Sequence, residues 1–291
     1  MRPSRDEVLA RERRWALPVA LATLAAVALL IAATFVVGAV SGDGDAEVLR
    51  SVDDNGGAVI ASGVMQGLAF LLLVAPLVYL FRAAQARSER VRGPLIRLVA
   101  AAPLFLSVAA ILTAVATTDA ASEFVAGKAT SDLSRAKAID DCSDEQRDDA
   151  DAFRDDFGKG ASSLQRCATT KVDDGRAENA IADAPARAIA TGFGLGGRIG
   201  LAFALLYTCL WAMRTGLLTR FWGSLGMAMG AAALLLLIQF TLIWFLYFAL
   251  LVAGWIPGGR PPAWAAGEAI PWPTPGEKAA DEMAPEDRRP G

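Results

Sequence analysis

The stretch "GFGLGGRIG", residues 192–200, supports two readings that lead to different folds. Gly192, Gly194 and Gly197 have the G-x-G-x-x-G spacing of a dinucleotide-binding turn. Gly192, Gly196 and Gly200 recur every fourth residue, the spacing that lets two membrane helices approach closely. The flanks decide between them. A nucleotide fingerprint needs a hydrophobic strand before it and an acid about 20 residues beyond it. Upstream lies "ENAIADAPARAIAT" (178–191), alanine-rich and broken by a proline. Downstream, the acid's place is taken by Ala212, inside an apolar run. The glycines therefore belong to a helix seam.

Working outward, the whole chain fits that reading. Of its 291 residues 54 % are hydrophobic and only 20 % charged, and the charges are gathered into blocks. Charge blocks separated by long apolar runs mark membrane spans, each needing about 20 apolar residues. Such runs cover Trp15–Val40, Ala58–Phe81, Leu95–Thr118 and Gly192–Met213. The first exceeds the roughly 7–15 residues of a signal-peptide core, so it reads as a retained anchor. Pro76 and Pro103 fall inside runs two and three, where neighbouring helices can satisfy the freed backbone groups. The last run, Trp222–Trp255, would be roughly 50 Å long as one helix, against a hydrocarbon core of about 30 Å. Halved, each piece would be roughly 25 Å. No Pro or Asn marks a turn, so one long tilted helix and a tight hairpin fit equally well.

The expected fold is an all-α, multi-pass transmembrane helix bundle of five apolar segments, or six if the last is a hairpin. Its parts are an N-terminus (1–14), three transmembrane helices (15–118), an acidic polar segment (119–188), two or three further transmembrane helices (189–255) and a Pro-rich tail (256–291) expected to be extended and poorly ordered. In segment 119–188, Phe153, Phe157 and Leu164 are spaced for short amphipathic helices. Arginine is concentrated before the first run, in 82–97 and in 214–220, whereas 41–56 holds one arginine among several acids. The positive-inside rule then places the N-terminus in the cytoplasm and residues 119–188 outside a bacterial cytoplasmic membrane.

Two further glycine pairs repeat the four-residue spacing: Gly63 with Gly67, and Gly226 with Gly230. These and the 192–200 glycines are the candidate helix-packing positions. The intramembrane polar residues are Gln66, Arg198 and Gln239. Arg198 stands roughly 22 Å of helix from Arg214 and points about 160° away from Gly196 and Gly200. It therefore reads as an outer-interface arginine reaching for headgroups, with an acid such as Asp119 or Glu123 as an alternative partner. No carboxylate lies inside a span, which weakens a proton-coupled transport reading.

Cys142 and Cys167 both lie in the polar segment. In an oxidising compartment they are expected to pair, closing a loop worth about 3 kcal/mol. Cys209, in the fourth run, reads as a small apolar residue. "DDCSDEQRDDADAFRDD" (140–156) is acid-dense but lacks the glycine and spacing of a calcium loop. Histidine is absent, which removes imidazole acid–base catalysis, His haem ligation and His zinc sites. A net charge of −3 implies no nucleic-acid surface. No cofactor, metal or catalytic set is expected.

Two stretches, "WAMRTGLLTRFWGSLGM" (211–227) and "GWIPGGRPPAWAAGEAIPWP" (254–273), resemble a family of uncharacterised multi-pass membrane proteins from high-GC actinobacteria. The resemblance implies a five- or six-helix bundle with a W-P-G-G-x-P-P-A-W tail segment, which here has Ile256 before Pro257. It implies no activity and no catalytic residues. The functional expectation is a non-enzymatic envelope protein whose partners are the lipid bilayer and an extracytoplasmic protein. The alternative is a small transporter or channel with Arg198, Gln66 and Gln239 lining a path.

Overall fold

The computed structural model describes residues 4–38, 40–158, 162–235 and 238–273, and the secondary structure of these residues is entirely helical. Among the described residues, four helical segments are long and apolar enough to cross a membrane. They are α1 (Arg5–Val37), α3 (Gly56–Arg87), the Gly93–Val125 segment that contains α4 (Ile96–Val125), and α8 (Arg187–Arg214). Between α1 and α3 lies α2 (Asp45–Asp54). Between α4 and α8 lie α5 (Arg135–Asp148), α6 (Ala150–Phe157) and α7 (Ser163–Asp183). The chain continues as α9 (Arg220–Leu234), α10 (Thr241–Ala253) and α11 (Pro262–Ala266).

Local chemistry explains where these helices begin and end. A reciprocal capping box starts α1: Glu7 N donates to Ser4 Oγ, and Ser4 N donates to Glu7 Oε2 at 2.8 Å. Ser134, Asp149 and Thr219 accept hydrogen bonds at the N-termini of α5, α6 and α9. Gly254 and Gly267, both left-handed, stop α10 and α11.

The chain forms two compact units. The first comprises residues 1–28, 70–105 and 196–291. Here the last apolar run breaks after Leu234, and α9 and α10 pack on each other as a hairpin. The reason lies in side chains far apart in sequence. The buried face of α9 is Gly223, Gly226, Gly230 and Ala233. Gly223 and Gly230 on that face lie against Met213 and against Ala202 and Leu205 of α8, while Gly226 also meets Trp244 of α10. Trp244 Nε1 donates to the Trp222 carbonyl at 3.1 Å, and Trp222 stacks on Tyr247 at 3.4 Å. A single long helix could not bring the Trp244 indole back to the Trp222 carbonyl and Gly226.

The 254–273 segment departs from the expected extended tail. Trp264, in α11, is buried and donates to the Leu217 carbonyl at 2.9 Å. Trp272 donates to the Leu218 carbonyl at 2.8 Å, and Ile270 N to the Thr215 carbonyl at 3.2 Å. These bonds satisfy backbone carbonyls in the turn between α8 and α9, which would otherwise lack partners. Residues 274–291 of the tail lie outside the described residues.

The second unit comprises residues 29–69 and 106–195. Its main core is built largely from alanines, with Leu49, Val52, Val59 and Phe124 as the larger members. Small residues allow α2, α4 and α7 to approach closely. A satellite core gathers Cys142, Phe153, Cys167 and Ala168, so α5, α6 and α7 form a helical cluster within the acidic segment. The 41–56 stretch is not merely a polar loop: Ala46, Leu49 and Val52 place one buried face on α2.

Candidate functional site

The glycine pairs occupy helix contacts. In α3, a side chain at Gly63 would strike Ala114 Cβ, and one at Gly67 would lie 3.2 Å from the Ser107 carbonyl oxygen. In α8, a Cβ on Gly200 would come to 2.8 Å from Ala102 Cβ, and one on Gly196 to 3.4 Å from Phe105. Both pairs therefore face α4. Gly192 meets open space, so the seam on α8 begins at Gly196 and not at the first glycine of the motif. Gly230 abuts Ala202 and Leu205 of α8, and Gly226 is wedged between Cys209 and Trp244. Gly226→Leu is expected to destabilise the protein by about 2 kcal/mol through overpacking. Thermal unfolding in detergent checks it; an unchanged midpoint would contradict the wedge.

Each of the three candidate polar residues has its own local surroundings. Gln66 donates to Ser62 Oγ at 3.1 Å, and Ser62 in turn donates to the Ala33 carbonyl at 3.0 Å. Arg198 is half-buried and has no ion-pair or hydrogen-bond partner among the described residues. Gln239 is exposed in a single 3₁₀ turn (Ile238–Phe240) before α10.

The sulfurs of Cys142 and Cys167 are at disulfide distance, 1.96 Å, and both residues are fully buried. The link joins α5 to α7. Glu145 lies near the same two sulfurs but is engaged in an ion pair with Lys171 at 2.7 Å. A disulfide and a thiolate metal site exclude each other here, because metal ligation needs both cysteines reduced and ionised.

Beside this link the second unit opens into a polar cleft of about 1100 Å³, lined by α2, the end of α6 and one face of α7. Its walls are fixed by contacts across long sequence separations. Asp174 of α7 accepts from Ala46 N at 3.0 Å and so caps α2, whose own cap position is Gly44. A Cβ on Gly44 would come within 2.8 Å of that carboxylate, so the cap needs glycine there. Asp173 binds Arg50 at 2.7 Å and Arg176 at 3.5 Å. Both guanidinium groups lie over the Phe124 ring, at 5.3 and 5.7 Å. Arg166 donates to the Phe157 carbonyl at 2.8 Å and to Ser162 Oγ at 3.1 Å. Of the four basic residues lining the cleft, Arg50 and Lys171 are ion-paired with Asp173 and Glu145, whereas Arg166 bonds only neutral acceptors and, like Arg135, keeps its charge. Among its acids, Asp43, Asp155 and Asp156 have no side-chain partner among the described residues. The cleft lining carries more carboxylates than basic side chains.

The sequence reading missed a second polar centre, in the first unit. Glu12 and Arg87 form a buried ion pair, with side chains 7 % and 0 % exposed. Arg87 also donates to the Ala263 carbonyl at 3.0 Å and lies over the Trp264 ring. Tyr79 stacks on the other partner of this knot, Trp264, at 5.8 Å and donates to the Glu12 carbonyl at 3.1 Å. Glu12 was concealed among the arginines of residues 11–14; its signal was a single acid in an otherwise basic flank. The arrangement locks the 254–273 segment to α1 and α3.

The chain matches no protein-family model, no curated protein and no solved structure.

Proposed function

We propose that this chain is a multi-pass protein of a bacterial cytoplasmic membrane, and that it acts without catalysis by binding a cationic protein segment in the cleft of its acidic unit. Four apolar helices of spanning length support the membrane reading. The arginine-bearing N-terminus and the 82–97 and 214–220 loops favour a cytoplasmic side for these segments, with 119–188 outside. The actinobacterial family resemblance is consistent with this assignment. The α9–α10 hairpin supports six apolar passes, although α9 and α10 are roughly 22 and 20 Å long and would require local bilayer thinning.

One observation carries the functional reading: six carboxylates line the cleft against four basic residues, and Asp43, Asp155 and Asp156 have no side-chain partner among the described residues. Surfaces of this kind select partners of opposite charge. No observation singles out transport through Gln66, Arg198 and Gln239. The test is binding of a fluorescent oligo-arginine peptide to the purified full-length protein. The triple variant Asp43→Asn, Asp155→Asn, Asp156→Asn is expected to weaken binding at least tenfold. The pair Asp140→Asn, Asp141→Asn, on α5 outside the cleft, is expected to change it less than twofold. Equal losses in the two variants would reduce the effect to general acidity and defeat the proposal.

A further inference from the structure

A smaller groove of about 200 Å³ lies in the first unit, between the first half of α1 and the C-terminal part of α3. Arg11, Trp15 and Val19 follow one another at four-residue spacing on α1. Ala75, Val78 and Arg82 follow at helical spacing on α3. Residues at such spacing share a helix face, so the groove has a graded character. Its floor is apolar, from Val19, Ala75 and Val78. Its mouth carries Arg11 and Arg82, both exposed and without an ion-pair partner among the described residues. The one acid lining it, Glu12, is already neutralised by Arg87. Trp15 is 53 % exposed beside the two arginines, in the position of an interfacial anchor.

We propose that this groove binds one anionic phospholipid, its phosphate between Arg11 and Arg82 and the upper part of one acyl chain along Val19, Ala75 and Val78. Two cations above an apolar channel, at the arginine-rich end of two spanning helices, match a lipid that is anionic at its head and hydrocarbon below. Basic pockets between helices on the cytoplasmic side take such headgroups. A soluble anion would satisfy the arginines but leave the apolar floor uncovered. A zwitterionic lipid would bring its own cation against Arg11 and Arg82.

The inference rests on the membrane-spanning reading of α1 and α3. Recovery of the full chain in the soluble fraction would remove that reading, whereas a membrane protein indifferent to lipid charge would remove this inference alone. The experiment counts lipids bound to the full-length protein by native mass spectrometry, from mixed micelles of phosphatidylglycerol and phosphatidylcholine. Wild type is expected to retain one phosphatidylglycerol in preference to phosphatidylcholine. Arg11→Gln with Arg82→Gln is expected to lower that occupancy at least fivefold. Arg13→Gln with Arg90→Gln, which removes two exposed cations outside the groove, is expected to leave it within twofold. Val78→Trp, which fills the floor and keeps both charges, is expected to lower it as well. The proposal is overturned by equal retention of the two lipids, by unchanged occupancy in Val78→Trp, or by equal losses in the two arginine pairs.

Discussion

Glu12→Ala is expected to cost about 3–5 kcal/mol of stability, the largest effect of any single substitution considered. Arg87 has no exposed side-chain surface and bonds Glu12 through both terminal nitrogens, NH2 to Oε2 at 2.9 Å. Deleting the carboxylate leaves a guanidinium buried with only the Ala263 and Ala83 carbonyls as acceptors. Breaking one half of a buried pair is far more damaging than replacing both halves, because the survivor's charge stays desolvated. The double variant Glu12→Ala with Arg87→Met should therefore recover much of the loss. Thermal unfolding of the three proteins in one detergent checks the pattern. A double variant no better than Glu12→Ala would mean that the pair is not what holds this region. The same single variant is expected to expose the 254–273 segment to protease, since Arg87 is one of its clamps.

Removing the Cys142–Cys167 link is expected to have the second largest effect, about 3 kcal/mol, from the loop entropy restored to the unfolded chain. The loss should fall on the α5–α7 cluster, whose satellite core is small. Cys142→Ala with Cys167→Ala keeps the sites apolar while removing the crosslink together with two buried sulfur atoms. Hydrogen exchange should then rise across residues 135–183 and stay unchanged in α8 and α10. A uniform rise along the chain would show that the link does not act locally. Wild-type protein isolated without reductant is expected to yield the Cys142–Cys167 crosslinked peptide on digestion.

The four long helices were legible because hydropathy summed over about 20 residues is a local quantity. The breaks and contacts that were not legible depend on residues far apart. Nothing between 234 and 241 announces a turn; the reversal is held by Trp244 at Gly226 and the Trp222 carbonyl and by Trp222 stacked on Tyr247. Likewise, α2 has an apolar face at helical spacing, yet its cap comes from Asp174, 128 residues away. The prolines of the tail predict extended chain, but Trp264 and Trp272 hold residues 254–273 in place through indole bonds to the carbonyls of the α8–α9 turn. Of the glycine motif that first raised the question of fold, Gly196 and Gly200 make the seam and Gly192 does not. The cleft is the least readable feature, since which of its charges are spent internally emerges only when α2, α6 and α7 are brought together.

The central claim is that the acidic, disulfide-linked segment is displayed outside the membrane while the arginine-bearing loops face the cytoplasm. Lys128→Cys and Arg90→Cys, both at exposed positions, report on the two sides. Intact cells expressing each variant are treated with a membrane-impermeant maleimide, before and after permeabilisation. The account predicts that Lys128→Cys is labelled in intact cells and Arg90→Cys only after permeabilisation. Labelling of Arg90→Cys in intact cells with Lys128→Cys protected would contradict it.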